Sequence, residues 1–214
     1  MENFILEIPN FLPEDFCQEI IECFEKSSKK SDGDYLSISF GKVIVRDKYS
    51  VQLCINQDEN FKEIDKKLAS YIKKLINDYE FHLFKNYFYN QKYHPLERVL
   101  KRDCYDVGYM IQKIKSDATP EWHTDGEPGF DWFIQSIVYL NTVNKGGRTF
   151  LVTKDSKGVK PETGKALVFP ASWTFPHSGE KLGEGEEKYI LSFTINVSKI
   201  DYAERIRNGE IYKR

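Results

Sequence analysis

The chain has 214 residues, of which 40% are hydrophobic and 14% aromatic, enough apolar surface to pack a core and too much for a disordered chain. Basic and acidic residues nearly cancel, 31 against 33 for a net charge of −2, so there is no global positive field to coat nucleic acid or hold an anionic membrane. No apolar run approaches the ~18 residues a membrane span needs, and the opening residues lack the basic-then-apolar order of a secretion signal. A cytoplasmic protein is expected, with neither nucleic acid nor membrane as partner. Cys17, Cys23, Cys54 and Cys104 show no C-x-x-C spacing and read as reduced thiols.

Ile5 to Phe11 reads as a strand. It runs into Leu12-Pro13-Glu14-Asp15, where a proline and two acids suit the start of a helix. Phe16, Ile20, Ile21 and Phe24 recur at helical spacing, which predicts three to four turns. The polar stretch from Ser27 to Asp34, with Gly33, reads as a loop. Tyr35 to Leu53 is rich in β-formers broken by Gly41 and by Arg46-Asp47-Lys48, which suggests two short strands. Phe61, Ile64, Leu68, Tyr71, Ile72, Leu75 and Ile76 predict a second helix, with Lys66, Lys67, Lys73 and Lys74 on its solvated face.

From Tyr105 onward, short β-like runs alternate with Gly- and Pro-bearing loops: Tyr109–Lys115, Ile134–Leu140, Thr149–Thr153, Ala166–Phe169 and Tyr189–Val197. The expected architecture is a single α+β domain over 1–214. Residues 1–104 supply supporting helices and edge strands, and residues 105–200 form a jelly roll.

The chemistry concentrates in Glu121-Trp122-His123-Thr124-Asp125-Gly126. Two residues apart on extended backbone, His123 and Asp125 project to the same side with Cα atoms about 6–7 Å apart, within reach of one metal ion. An H-x-D pair alone is common and equally suits a packed or capping histidine. His177, fifty-two residues past Asp125, supplies a second imidazole. Two imidazoles and one carboxylate with open positions form the ligand set of mononuclear non-haem Fe(II) sites.

Lys188 opens the last strand and shares its face with Ser192. An inward lysine needs an anion. That anion is either a protein acid, with Glu184, Glu186 and Glu187 near in sequence, or the carboxylate of a ligand, which a converging Ser192 hydroxyl favours.

His123-x-Asp125, Tyr139-Leu140-Asn141, Gly146-Gly147-Arg148-Thr149-Phe150, Pro161-x-x-Gly164-Lys165-Ala166-Leu167-Val168-Phe169, His177 and Lys188 stand in this order. Together they resemble the Fe(II)- and 2-oxoglutarate-dependent oxygenases of the prolyl 4-hydroxylase-like group, in the compact form of bacterial and viral members. The likeness spans Tyr109 to Val197, with a weaker echo at Phe11 to Cys17.

The resemblance implies a double-stranded β-helix with His123, Asp125 and His177 holding Fe(II). It implies that Lys188, helped by Tyr139 and Ser192, holds the distal carboxylate of 2-oxoglutarate. It further implies O2 as co-reactant, ascorbate as reductant, and succinate and CO2 as products of hydroxylating a C–H bond. The tyrosine that many relatives carry nine or ten residues before the first histidine is absent: Ile114 and Lys113 stand there, and Gln112 is the neighbouring polar candidate.

The Gly146-Gly147 pair reads either as a turn serving the site or as an ordinary hairpin. Trp122 and Trp132 flank the metal motif, Gly126-Glu127-Pro128-Gly129 could form a lid, Arg148 could face the cleft, and His82 and His94 read as structural. Three functions compete: hydroxylation of a prolyl residue in a peptide or protein, the same chemistry on a free amino acid or small metabolite, and a catalytically silent metal-binding β-barrel.

Overall fold

A computed structural model of the chain describes residues 4–39, 42–88, 104–106, 108–114, 116, 122–125, 132–152 and 157–197. The elements, in chain order, are β1 (Leu6–Ile8), α1 (Glu14–Lys26), β2 (Ser31–Ser39), β3 (Lys42–Cys54), α2 (Lys62–Leu83), β4 (Cys104–Asp106), β5 (Met110–Ile114), β6 (Trp132–Tyr139), β7 (Thr149–Leu151), β8 (Ala166–Pro170), β9 (His177–Gly179) and β10 (Lys188–Val197). Eight strands form one antiparallel sheet in the order β1-β8-β6-β10-β5-β3-β2, with β4 also pairing β10, and β7 and β9 form a second, smaller sheet. The result is the α+β double-stranded β-helix expected from the sequence.

Strand alternation sorts the core into two layers. Val138, Leu140, Val168, Leu191 and Phe193 face α1 and α2, where they meet Phe16, Ile20, Phe24, Leu68, Ile72 and Leu75. Ile137, Tyr139, Leu167, Phe169 and Ile190, next to them in sequence, point the other way and pack inside the roll against Leu151, Val159 and Phe175. The site lies on this inner side.

Helix α1 starts after Pro13 with Glu14 and Asp15 in its first turn. Its polar face reaches the big sheet: Glu25 Oε1 accepts a hydrogen bond from the Tyr189 hydroxyl at 2.5 Å and pairs with Lys113 Nζ at 3.0 Å. The lysines of α2 are solvated as expected, with Lys66, Lys67 and Lys74 paired to Glu63, Glu19 and Asp78. Among the described cysteines, Cys17, Cys23 and Cys54 are free thiols.

Three local expectations change. Ser31–Asp34 is the start of β2 rather than loop, because β3 supplies backbone partners across a long hairpin, pairing Ser31 with Gln52 and Asp32 with Val51. Arg46-Asp47-Lys48 lies inside β3, so the two strands are long rather than short. Helix α2 runs to Leu83, past the last residue of the apolar pattern. Among the described residues, no helix is long and apolar enough to cross a membrane.

Gly164 shows how the N-terminal segment is locked to the roll. It adopts φ +75°, its carbonyl accepts from Leu12 N at 3.0 Å, and a Cβ there would lie 2.1 Å from the Leu12 carbonyl oxygen. Gly185 has a similar φ of +76° but open space around it. Gly164→Ala should therefore lower stability by more than about 2 kcal/mol, through strain plus collision, whereas Gly185→Ala should lose only the ~1 kcal/mol of a left-handed L-residue. Urea denaturation of the two variants measures the difference.

Candidate metal and carboxylate site

His177 lies on β9, and the short extended segment around His123 adds to that edge of the small sheet. The two histidines exchange both backbone hydrogen bonds, His123 N to His177 O and His177 N to His123 O, each 2.9 Å. This pairing places the two imidazoles side by side, with ring centroids 4.2 Å apart. Asp125, two residues on, turns its carboxylate between them. Its Oδ1 is 3.9 Å from His123 Nε2 and its Oδ2 is 3.5 Å from His177 Nε2. The candidate ligand atoms all lie within 4.8 Å of one another.

The electrostatics fit a cation. Burial pushes the His177 imidazole down to about 3, and also holds the His123 imidazole below its ordinary value, so both rings are neutral. Burial raises the Asp125 carboxyl, which His123 partly offsets, and Asp125 Oδ2 is buried without a hydrogen-bond partner. His177 Nδ1 faces the Phe175 carbonyl at 3.4 Å, an arrangement that puts the proton on Nδ1 and leaves the Nε2 lone pair toward Asp125. Two neutral nitrogens and one under-satisfied carboxylate oxygen suit a divalent ion.

Lys188 stands at the start of β10, buried at 6% exposure. Its ammonium donates to the Gly147 carbonyl at 2.7 Å and lies 5.5 Å from the centre of the Tyr139 ring. Among the described residues no carboxylate comes within ion-pair distance. Burial lowers its pKa to about 8, and Glu180 draws it partly back. Gly146 and Gly147, at φ +73° and +72°, form a turn against Lys181 and Leu182 that presents this carbonyl to the lysine.

Two of the acids near Lys188 in sequence are engaged elsewhere. Glu187 pairs with Lys113 at 2.9 Å, and Glu186 accepts from Asn144 N and Lys145 N.

Triad and lysine line one cavity of about 460 Å³. Ser192 lines it too, but four residues along β10 its Cα is about 13 Å from that of Lys188, with Ile190 between them. Tyr139 is fully buried and its hydroxyl donates to Thr149 Oγ1 at 2.8 Å, so Thr149, and not Tyr139, reaches the cavity wall. Gln112 and Ile114 line it as their shared face predicts.

Arg148 is not among the lining residues and pairs with Glu180 at 3.9 Å, while Glu180 does line the cavity. Thr149, Glu180 and the Gly147 carbonyl were not singled out from the sequence. The Gly146–Phe150 motif contained two of them, but only cross-strand register shows which atoms turn inward. Trp122 is 55% exposed, and alternation with His123 directs it away from the site. His82, on α2, stacks on Tyr79 and contacts Asn86. His94, the Gly126–Gly129 segment and most of Phe81–Cys104 lie outside the described residues.

No protein-family profile and no curated protein sequence matches this chain. Solved structures do. A prolyl hydroxylase from Trichoplax adhaerens, in complex with a hypoxia-inducible-factor oxygen-degradation-domain peptide, is 18% identical, with 98% of this chain and 88% of that one covered and a TM-score of 0.67. A Pseudomonas putida prolyl-4-hydroxylase is 17% identical over 90% of this chain and 92% of its own, at 0.60. The viral collagen prolyl hydroxylase of Paramecium bursaria Chlorella virus-1, in a 2-oxoglutarate complex, is 16% identical over 92% and 97%, at 0.57. The chain therefore shares the fold of these prolyl hydroxylases.

Asp125→Asn should separate the two roles of a buried carboxylate. It removes an uncompensated charge, so the metal-free variant should be about 1–3 kcal/mol more stable than wild type. Excess Mn(II) should raise the wild-type melting temperature and leave that of the variant unmoved. Thermal melts with and without Mn(II) give both readings.

Proposed function

We infer that the protein is an Fe(II)- and 2-oxoglutarate-dependent dioxygenase that hydroxylates a prolyl residue of a peptide or protein. The observation that carries this is Lys188: a buried ammonium without an acid partner among the described residues, sharing a cavity with a two-histidine, one-carboxylate cluster. A silent structural metal site would not need it, since such sites are closed by four protein ligands. The family of the structural neighbours supports the reaction type, and their prolyl substrates support the choice of residue.

In this reading His123, Asp125 and His177 hold Fe(II), which when bound supplies the activation of O2. One oxygen atom goes to the substrate C–H bond to make an alcohol. The other goes to the keto carbon of 2-oxoglutarate as it loses CO2, leaving succinate. Ascorbate serves only as an outside reductant.

The protein's own residues bind and orient. Lys188 pairs with the distal carboxylate, and its ammonium keeps Gly147 O as a second partner. Thr149, fixed by Tyr139, is a hydroxyl on the wall of the same cavity. Ser192 belongs to the wall further along. Leu151, Phe169 and Ile190, packed around the site, exclude water.

Lys188→Ala should weaken 2-oxoglutarate binding by about 3–5 kcal/mol, the scale for breaking a buried charge pair. Because the folded pKa of Lys188 lies near 8, below its ordinary 10.5, the ligand-free protein becomes more stable as pH rises from about 8 toward 10.5. An arriving carboxylate restores the charge. Binding should therefore take up nearly one proton at pH 9 and almost none at pH 7, and affinity should fall above pH 8. Calorimetry in buffers of different ionisation enthalpy measures that uptake, and its absence would remove Lys188 from the site.

The reaction itself is tested by succinate formation with Fe(II) and ascorbate. A proline-containing peptide should stimulate it and free proline should not. Equal stimulation by free proline would move the substrate to the small-molecule class.

A further inference from the structure

The cavity extends well past the triad and Lys188. Lys188, Ile190, Ser192 and Thr194 follow one another along the inner face of β10, and from the first to the last is about 20 Å. Among the described lining residues the ionic side chains are Lys188, Glu180 and the triad. The polar residues that remain, Gln112, Gln135, Ser192 and Thr194 among them, are all neutral.

Gln135 is the most telling of these. It pairs in register with Thr194 on one side and Phe169 on the other. The Phe169 ring meets the His177 imidazole edge-on at 5.0 Å, so Gln135 stands one aromatic ring away from a candidate metal ligand. Gln135 and Thr194 are each only 9% exposed, and Gln135 Oε1 is buried with no hydrogen-bond partner. An orphaned carboxamide oxygen is destabilising where an aliphatic side chain of similar size would pack well. A ligand that completes its hydrogen bonds would remove that penalty.

Resting on the dioxygenase reading above, we propose that Gln135 is a specificity-determining residue whose carboxamide, beside the Thr194 hydroxyl, pairs with an uncharged amide of the substrate and so selects an amide-bonded residue over the free amino acid. A carboxamide carries one acceptor and two N–H donors, matching the donor and acceptor of a peptide group. A free amino acid brings an ammonium and a carboxylate into the same space, and each needs an opposite charge once water is removed. The neutral end of the cavity offers none among the described residues, and the Lys188 ammonium is committed to the keto acid.

The test uses the full chain loaded with Zn(II) and 2-oxoglutarate, with N-acetyl-L-prolinamide, L-prolinamide and L-proline as probes, read by saturation-transfer NMR. Wild type should bind the neutral diamide in preference to proline. Gln135→Leu should weaken diamide binding about tenfold, the scale for a lost buried hydrogen-bonding partner. Gln135→Glu supplies an anion, and should shift preference toward the cationic L-prolinamide, an inversion that a merely structural glutamine would not produce.

Equal binding of proline and the diamide by wild type, no diamide binding, or unaltered preference in both variants would overturn the assignment while 2-oxoglutarate binding persists. If wild type fails to bind 2-oxoglutarate, the dioxygenase reading itself falls.

Discussion

An ammonium group held out of water on the inner wall of a β-roll organises this molecule. Lys188 can remain there because the left-handed turn at Gly146 and Gly147 brings a carbonyl oxygen to 2.7 Å, and because the Tyr139 ring lies alongside. One carbonyl does not neutralise a cation, and the depressed lysine pKa is the remaining deficit. The chain thus stores a preference for an anion at one fixed point. Of the metal-binding candidates, His177 is placed relative to that point by sheet register, since Thr149 pairs with Gly179 and Leu151 with His177 across β7 and β9.

The triad is built with equal economy of parts. One reciprocal pair of backbone hydrogen bonds holds His123 and His177 abreast, and the two-residue repeat of extended chain returns Asp125 to the same side. Packing around the imidazoles keeps both neutral, which is the state a metal requires, while the same burial leaves the carboxylate short of partners. Burial that is unfavourable for each group separately becomes favourable for the three around a divalent ion.

Much of this was legible in the chain because it follows from spacing. The H-x-D pair, the parity of Gln135, Ile137 and Tyr139, and the shared face of Lys188 and Ser192 are all consequences of strand alternation. What could not be read depends on partners distant in sequence. The polar run Ser31–Asp34 looks like loop until β3 is laid beside it. The three-residue strand at His177 is too short to show a period. The Tyr139 hydroxyl faces the right side, yet its partner is Thr149, ten residues away across a glycine turn. Glu180, which faces Lys188 electrostatically, gave no sign among several nearby glutamates.

The contact between α1 and the back of β10 has a mechanical consequence. Lys188 and Tyr189 are consecutive, so one points into the roll and the next points out, where Glu25 and Lys113 grip the Tyr189 ring and hydroxyl. The first helix is therefore a splint for the very peptide unit that carries the anion-seeking lysine. Loosening it would act on the strand that carries that lysine without touching any residue inside the roll, so α1 belongs to the pocket's frame.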